Sequence, residues 1–466
     1  MKVLLLNPPA RKKFIREGRC TQEQGMWTVL WPPLSLAMIA AVLEGDGHEV
    51  KLIDCPAEGV DINELCASLV RFSPDLCLWS TATPTIESDL ALARRVKEEA
   101  PECRTAIFGT HPTALPTECL EKEENLDFII RNEPEETARE LAEVISRGSD
   151  FSPIKGLSYR DEEEIIHNPA RGFIDELDSL PDPAWHFINL DSYRLPLEGR
   201  RFLIVAPIRG CPYPCTFCTT GVYYGRKARK RSVPRVLSEI KNDIERYGVG
   251  DFLFWADTFT IDKKYAASLC RAIIEEKLDI SWVANSRVDT VDKELLALMR
   301  KAGCFMISYG IESGSKEVLR KARKGITRDD IKMAVRSAKE AGIKVVGHFI
   351  IGLPGETKKT AEDTILFSKD LELDFAQFYC AAPFPGSELY NIAKEEGWIT
   401  GDFSYFSQRQ AVMELSYFSR RDCMRARRKA YRRFYFQPRV FFGILKKAKI
   451  GDIFSRLMRK FSDIFG

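Results

Sequence analysis

A chain of 466 residues, 45% hydrophobic and with a net charge of only +2, is too long for one ordinary domain and too apolar to stay disordered. The near balance of charge excludes a strong steering field over the whole molecule. Thirteen cysteines, with one tight group among them, suit a reducing cytoplasm better than a disulfide framework. The apolar run that opens MKVLLLNPPA ends after four residues, too short for a signal peptide or a membrane span.

From residue 1 to 148, short apolar runs alternate with helical stretches: KVLLLN, a helix near Leu34 to Leu43, HEVKLID, DLCLWST, RTAIFG, and DFIIRN followed by PEETARELAEVI. Five βα units in series predict an α/β domain with a doubly wound, Rossmann-like parallel sheet. Ligands of such sheets sit at the carboxyl ends of the strands, near the switch in strand order. Those ends carry Asn7 and Pro8, the stretch Thr81 to Thr85 with Thr83 inside it, Gly109 to Thr113, and Arg131 to Glu133. No GxGxxG is present, which argues against a dinucleotide.

Residues 149–199 read as a connector. GLSYRDEEEIIHNP predicts a hairpin turning at Asp161 to Glu163, and IDELDSLPDPAWHFINLDSYRLP is rich in Pro and Asp without a clear period. A second series runs over 200–395, with strands expected in RFLIVAPI, DFLFWAD, SWVANSR, MISYGIE, KVVGHFII and FAQFYCAA. Six units rather than eight predict an open, partial TIM-type barrel, whose chemistry gathers at the carboxyl ends of the strands. Cys211, Cys215, Cys218, Asp257, Arg287, Glu312, Gly352 and Pro383 all fall at those ends.

The three cysteines stand in GCPYPCTFC. A 4Fe-4S cube that is fully ligated by protein takes four thiolates, so a local set of three leaves one iron open for chemistry and sensitive to oxygen. Zinc is the alternative, but it takes four ligands and more often arrives as paired CxxC knuckles, and no second knuckle occurs.

CPYPCTFC reads as CxxxCxxC with the aromatic Phe217 before its last cysteine, and it resembles the signature of radical S-adenosylmethionine (SAM) enzymes over roughly residues 200–395. The resemblance implies that SAM binds the open iron and is cleaved reductively to methionine and a 5'-deoxyadenosyl radical under anaerobic conditions. The electron would come from a donor such as flavodoxin or ferredoxin. It implies SAM contacts from Phe217, from Asp257 of WADTF at the methionyl end, and from Arg287 of NSRVD at the carboxylate. Glu312 of GIESGS would meet the ribose, with Gly347 and Gly352 of GHFIIGLPGET beside the adenine. Plainer readings stand beside these: Asp257 as a cap, Arg287 in a salt bridge at the barrel mouth, Glu312 as a carboxylate at a helix N-terminus. His348 and Tyr379 are the candidates for catalytic work, a proton relay near the radical and a substrate-facing group, with plain packing the alternative for His348.

The first half is similar to the cobalamin-binding domain that precedes the radical core in a large class of these enzymes, through NPP, WPPLSLAMIAAVLEGDGHEVKLID, GTHPTALP and RNEPEET. The similarity implies cobalamin at Asn7, Pro8, Thr83, Gly109, Thr113 and Glu133. The DxHxxG loop that supplies a histidine beneath the cobalt in many cobalamin proteins is missing, and His111 either caps its turn or touches the cofactor. The full chain resembles the group that includes the anaerobic magnesium-protoporphyrin monomethyl ester cyclase and hopanoid- and lipid-modifying enzymes. That implies hydrogen abstraction from an unactivated carbon, followed by cobalamin-dependent methyl transfer or, without cobalamin, by cyclisation, coupling or oxidation.

Residues 396–466 form a C-terminal region. From Arg420 onward fifteen Lys and Arg stand against three Asp, and Ile450, Ile453, Phe454, Leu457, Met458, Phe461, Ile464 and Phe465 recur at helical spacing opposite Arg456, Arg459 and Lys460. Such a basic amphipathic helix suits a membrane interface, a seat on the barrel, or RNA, although no RNA-recognition module accompanies it. The membrane reading makes the protein cytoplasmic and peripheral, with a hydrophobic small molecule or lipid as substrate. RNA modification ranks below it, and a zinc-bearing nucleic-acid-binding protein is the non-enzyme alternative.

Overall fold

The computed structural model describes residues 1–10, 14–17, 20–23, 30–162, 164–195 and 199–445. The helix expected between Ile450 and Phe465 lies outside the described residues. The expected α/β architecture is present: two large sheets, each with parallel strands joined by helical crossovers, the first extended by an antiparallel hairpin.

In the first sheet Lys2–Asn7 lies between Glu49–Asp54 and Leu76–Ser80, followed outward by Arg104–Phe108 and Phe128–Ile130, all parallel. Strands such as VLLL and LCLWS are buried end to end because helices cover both faces, which is why they read as continuous apolar runs. The switch in strand order falls beside Lys2–Asn7. The expected hairpin forms, Leu157–Asp161 with Glu164–His167, but it pairs antiparallel onto Phe128–Ile130 and extends this sheet. Its Tyr159 packs on Phe128 and Phe151, so the hairpin is bound by a shared apolar cluster that the acidic turn sequence does not announce.

The helix Leu34–Gly45 has nine of its twelve residues buried. It is apolar around most of its circumference because other elements cover it on several sides, a pattern expected of a fully enclosed helix.

The second sheet runs in sequence order: Leu203–Val205, Asp251–Phe254, Ser281–Ser286, Cys304–Glu312, Lys344–Ile351 and Phe375–Cys380, every pair parallel. Its first and last strands do not pair among the described residues, so the barrel is open. An open edge leaves a row of backbone groups without strand partners. The helix Arg420–Tyr435 covers this one: Tyr435 Oη accepts from Ala376 N (3.2 Å) and donates to Ala376 O (2.7 Å). One and two turns earlier, Tyr431 Oη accepts from Phe378 N (3.2 Å) and Arg427 Nε donates to Phe378 O (2.9 Å). This part of the basic region is therefore a helix packed on the barrel. Among the described residues no helix is long and apolar enough to cross a membrane.

Candidate active site

The cysteine loop leaves the first barrel strand through Gly210, where a φ of +85° and the approach of Lys227 O to within 2.3 Å of any Cβ admit no side chain. Asp257, just past the second strand, braces both ends of the loop. Its Oδ2 accepts from Gly210 N (3.1 Å) and its Oδ1 from Thr220 Oγ1 (2.8 Å). Cys215 is buried, and Cys211 and Cys218 are half-buried. Burial pushes the Cys211 and Cys215 thiols above the ordinary range, so each holds a proton to be displaced when it acts as a ligand. Each sulfur has a neighbour: Thr258 Oγ1 at 3.8 Å from Cys211, Thr220 Oγ1 at 3.1 Å from Cys218, and Arg287 Nη1 at 3.8 Å from Cys215.

All three cysteines line one cavity of about 350 Å³ at the barrel mouth and lumen, together with Phe217, Asp257, Arg287, Glu312, His348 and Tyr379. Among the described residues no three His, Cys, Asp or Glu converge as the ligands of a single ion do. Three thiols lining one cavity fit the three protein ligands of a cluster with one open iron.

Glu312 ends the fourth strand with a φ of +63°, a left-handed conformation in a non-glycine residue, and strain of this kind gathers at functional sites. Its Oε1 pairs with Lys324 Nζ at 2.8 Å, both side chains 7% exposed. Arg287 is nearly buried and makes a two-pronged ion pair with Asp289. His348 Nδ1 lies 3.1 Å from Tyr379 Oη, the rings stack at 10°, and Tyr379 Oη donates in turn to Gln377 Oε1.

Gly347 and Gly352 stand apart from this cavity. Val346, His348 and Ile350 face the lumen, so by strand alternation Gly347 faces the other way, where a Cβ would meet Leu373 Cδ1 at 2.7 Å. It makes room for core packing. Gly352, at φ +94°, lies against Cys423 Sγ and donates to Glu356 Oε2 at 3.2 Å. Glu356 carries no signal in the sequence; burial pushes its carboxyl up to about 7.

The residues expected around cobalamin do gather at the carboxyl edge of the first sheet, but their side chains are held by neighbouring residues and none lines the cysteine cavity. Asn7 Nδ2 donates to Asp54 Oδ1 (2.9 Å), and buried Arg16 donates to Asn7 Oδ1 (2.8 Å) and Pro8 O (3.1 Å) while pairing with Asp89 (2.9 Å). Thr83 Oγ1 meets His111 Nδ1 at 3.2 Å, and burial depresses His111 to about 3, which keeps it neutral. Thr113 Oγ1 donates to Gly109 O (2.7 Å) and accepts from Asn132 N (3.0 Å). Gly109 is forced by a φ of +139° and by Thr81 O at 2.4 Å from any Cβ. Glu133 is spent on ion pairs with Arg209 (3.2 Å) and Arg229 (2.7 Å), which join the two sheets' domains. Among the described residues, Trp31 alone reaches the cavity lining from before residue 195, and its ring meets Trp255 edge-on at 4.9 Å. Trp31, Lys324, Tyr213 and Gln377 complete the site and carry no spacing signal in the sequence.

An open six-stranded barrel with three cysteines lining the cavity at its mouth, joined to a doubly wound sheet, defines a two-domain α/β protein with a thiol-lined site. Residues 205–368 match the radical SAM superfamily and residues 28–142 the B12 binding domain. An uncharacterized methyltransferase of Pyrococcus horikoshii is 33% identical over 441 residues, 94% of each chain. The anaerobic magnesium-protoporphyrin IX monomethyl ester cyclase of Cereibacter sphaeroides is 30% identical over 420 residues, 88% of this chain and 68% of the cyclase. The methyltransferase TsrM of Kitasatospora setae, solved with cobalamin and a [4Fe-4S] cluster bound, superposes with a TM-score of 0.69 at 18% identity, covering 86% of this chain and 79% of its own. The chain belongs to the radical SAM superfamily, among the enzymes that carry a B12-binding domain. Its cofactors are a 4Fe-4S cluster, SAM and cobalamin.

Proposed function

We propose that the protein transfers a methyl group to an unactivated carbon of a hydrophobic small molecule or lipid. The observation that carries this reading is that Trp31, from the B12-binding half, lines the same cavity as the three cysteines. When bound, the cluster, SAM and cobalamin supply the radical and the transferable methyl group. The chain's own part is to bind, orient and keep water out. Cys211, Cys215 and Cys218 hold the cluster, Asp257 fixes the loop that carries them, and Phe217 and Glu312 hold SAM, the latter at its ribose. Trp31, Phe202, Phe305, Met306, Phe375 and Phe384 give the cavity mostly apolar walls that shield a radical and favour an apolar acceptor. Tyr379 Oη, between His348 and Gln377, can hold or hand on a proton at the lumen wall. Cobalamin would be held at the carboxyl edge of the first sheet by backbone around Pro8, Thr83, Gly109 and Thr113, since the Asn7, Thr83 and Thr113 side chains are already hydrogen-bonded to neighbouring residues.

In this reading the functional units are the sheet domain to residue 148, lengthened by the hairpin, a connector to 199, the radical SAM barrel over 200–395, and the C-terminal region. The reductant is a small protein such as flavodoxin or ferredoxin. The protein works in the cytoplasm, at the membrane surface, where the exposed Phe436, Phe441 and Phe442 stand among arginines.

The test is to incubate reduced, cobalamin-loaded enzyme with methyl-labelled SAM and an organic extract of the host's cells. Label is expected in an organic-soluble product, only with the loaded enzyme. Formation of 5'-deoxyadenosine with all label left in water-soluble species overturns methyl transfer and favours the oxidative chemistry that the cyclase relative's name describes.

A further inference from the structure

We propose that Arg287 is a positioning residue for the cluster, one that raises its reduction potential through Cys215, and not a clamp for the SAM carboxylate. The inference rests on the cluster assigned to the three cysteines.

A carboxylate clamp needs two parallel N–H groups on one edge of the guanidinium. Arg287 has none left. Nε and Nη2 donate to Asp289 Oδ1 (2.9 Å) and Oδ2 (2.8 Å), and the second Nη2 hydrogen goes to Lys324 O (2.6 Å). Nη1 points at Cys215 Sγ, 3.8 Å away. The flat face is occupied as well, since the Tyr213 ring lies 3.5 Å from the guanidinium carbon. The side chain is 5% exposed, so the charge is locked in place from three sides.

Cys211 and Cys218 have neutral hydroxyl neighbours, Thr258 and Thr220. Cys215, the buried one of the three, has a cationic donor beside its sulfur. Reduction adds negative charge to a cluster, and a fixed cation or hydrogen bond at a ligand sulfur stabilises the reduced form, moving the potential up. Low exposure strengthens the effect by limiting screening. Asp289 opposes it: the same carboxylate that fixes the guanidinium partly cancels its field, so the two residues act with opposite sign.

The measurement is the midpoint potential of the reconstituted cluster, from redox titration followed by electron paramagnetic resonance, with iron and sulfide content and SAM affinity taken on the same samples. Arg287→Met is expected to lower the midpoint with iron content and SAM affinity close to wild type, Arg287→Lys to fall between, and Asp289→Asn to raise it. An unchanged midpoint in Arg287→Met with SAM binding weakened tenfold or more overturns the proposal in favour of the clamp. Should Arg287→Met not fold, Asp289→Asn decides: a midpoint equal to or below wild type overturns the proposal. Absence of iron and sulfide from the wild-type protein is a separate outcome, a failure of the cluster assignment itself, and it also removes this proposal.

Discussion

Glu356 carries out a task at the fifth strand's end that its place in GLPGET leaves hidden. Its buried carboxyl accepts from Gly352 N at 3.2 Å and from Thr360 Oγ1 at 2.6 Å, fixing the turn that closes the barrel strand. Its folded pKa stands at about 7 against an ordinary 4.5, through burial. Between those values the folded chain keeps a proton that the unfolded chain has released, so this contribution is complete below pH 4.5 and is lost as pH rises through about 7. The loss amounts to about 3 kcal/mol at roughly 1.4 kcal/mol per pKa unit. Glu356→Gln removes the titration, and its melting temperature should gain on wild type from about pH 4.5 to about pH 7 and level off above that. A constant difference across that range contradicts the assignment. At this scale the gathering of the three cysteines at one cavity is legible in the sequence because their spacing is local. Lys324 is not, because it meets Glu312 across a helix and a turn, and neither is Arg287's partnership with Cys215, made between two strands' ends.

The helix Arg420–Tyr435 reads from composition as a basic segment with three possible destinations. Its decisive residues are spaced by four: Arg427, Tyr431 and Tyr435 present their polar tips to Ala376 and Phe378 on the barrel's open edge. In this way a helix substitutes for the missing strand. Tyr435→Phe removes both bonds to Ala376 and is expected to cost about 1 to 3 kcal/mol, since the edge groups are left unsatisfied. The melting temperature should fall by several degrees with cluster content unchanged, whereas an unaltered melting curve would argue that water serves the edge equally well. Strand and helix order in both halves is legible because parallel strands covered on both faces leave continuous apolar runs. The hairpin's place in the first sheet is not, since strand pairing across a sheet leaves no local mark.

Across the whole molecule, the two halves are locked by buried charge. Glu133 and Glu135 from the first domain meet Arg209 and Arg229 from the barrel side, every side chain at most 6% exposed. Asn132 Nδ2 donates to Val222 O at 2.6 Å, and Ser35 Oγ lies 3.3 Å from Tyr223 Oη. Breaking such buried pairs from one side is costly, so the edge of the first sheet is held in register with the cysteine loop. This seam keeps the two domains together, with Trp31 of the first domain in the lining of the cavity that holds the cysteines. Glu133, placed by sequence at a ligand edge, has structural partners because that edge is also a domain seam.

The most direct test of this account is the corrinoid, iron and sulfide content of protein purified anaerobically from cells supplied with cobalamin, compared with the Cys215→Ala variant. Near-stoichiometric corrinoid beside a 4Fe-4S spectrum is expected in the wild type, and corrinoid retained with the cluster lost in the variant. An iron-sulfur spectrum with no corrinoid would contradict it, leaving the first domain as a scaffold and the chemistry to SAM and the cluster alone.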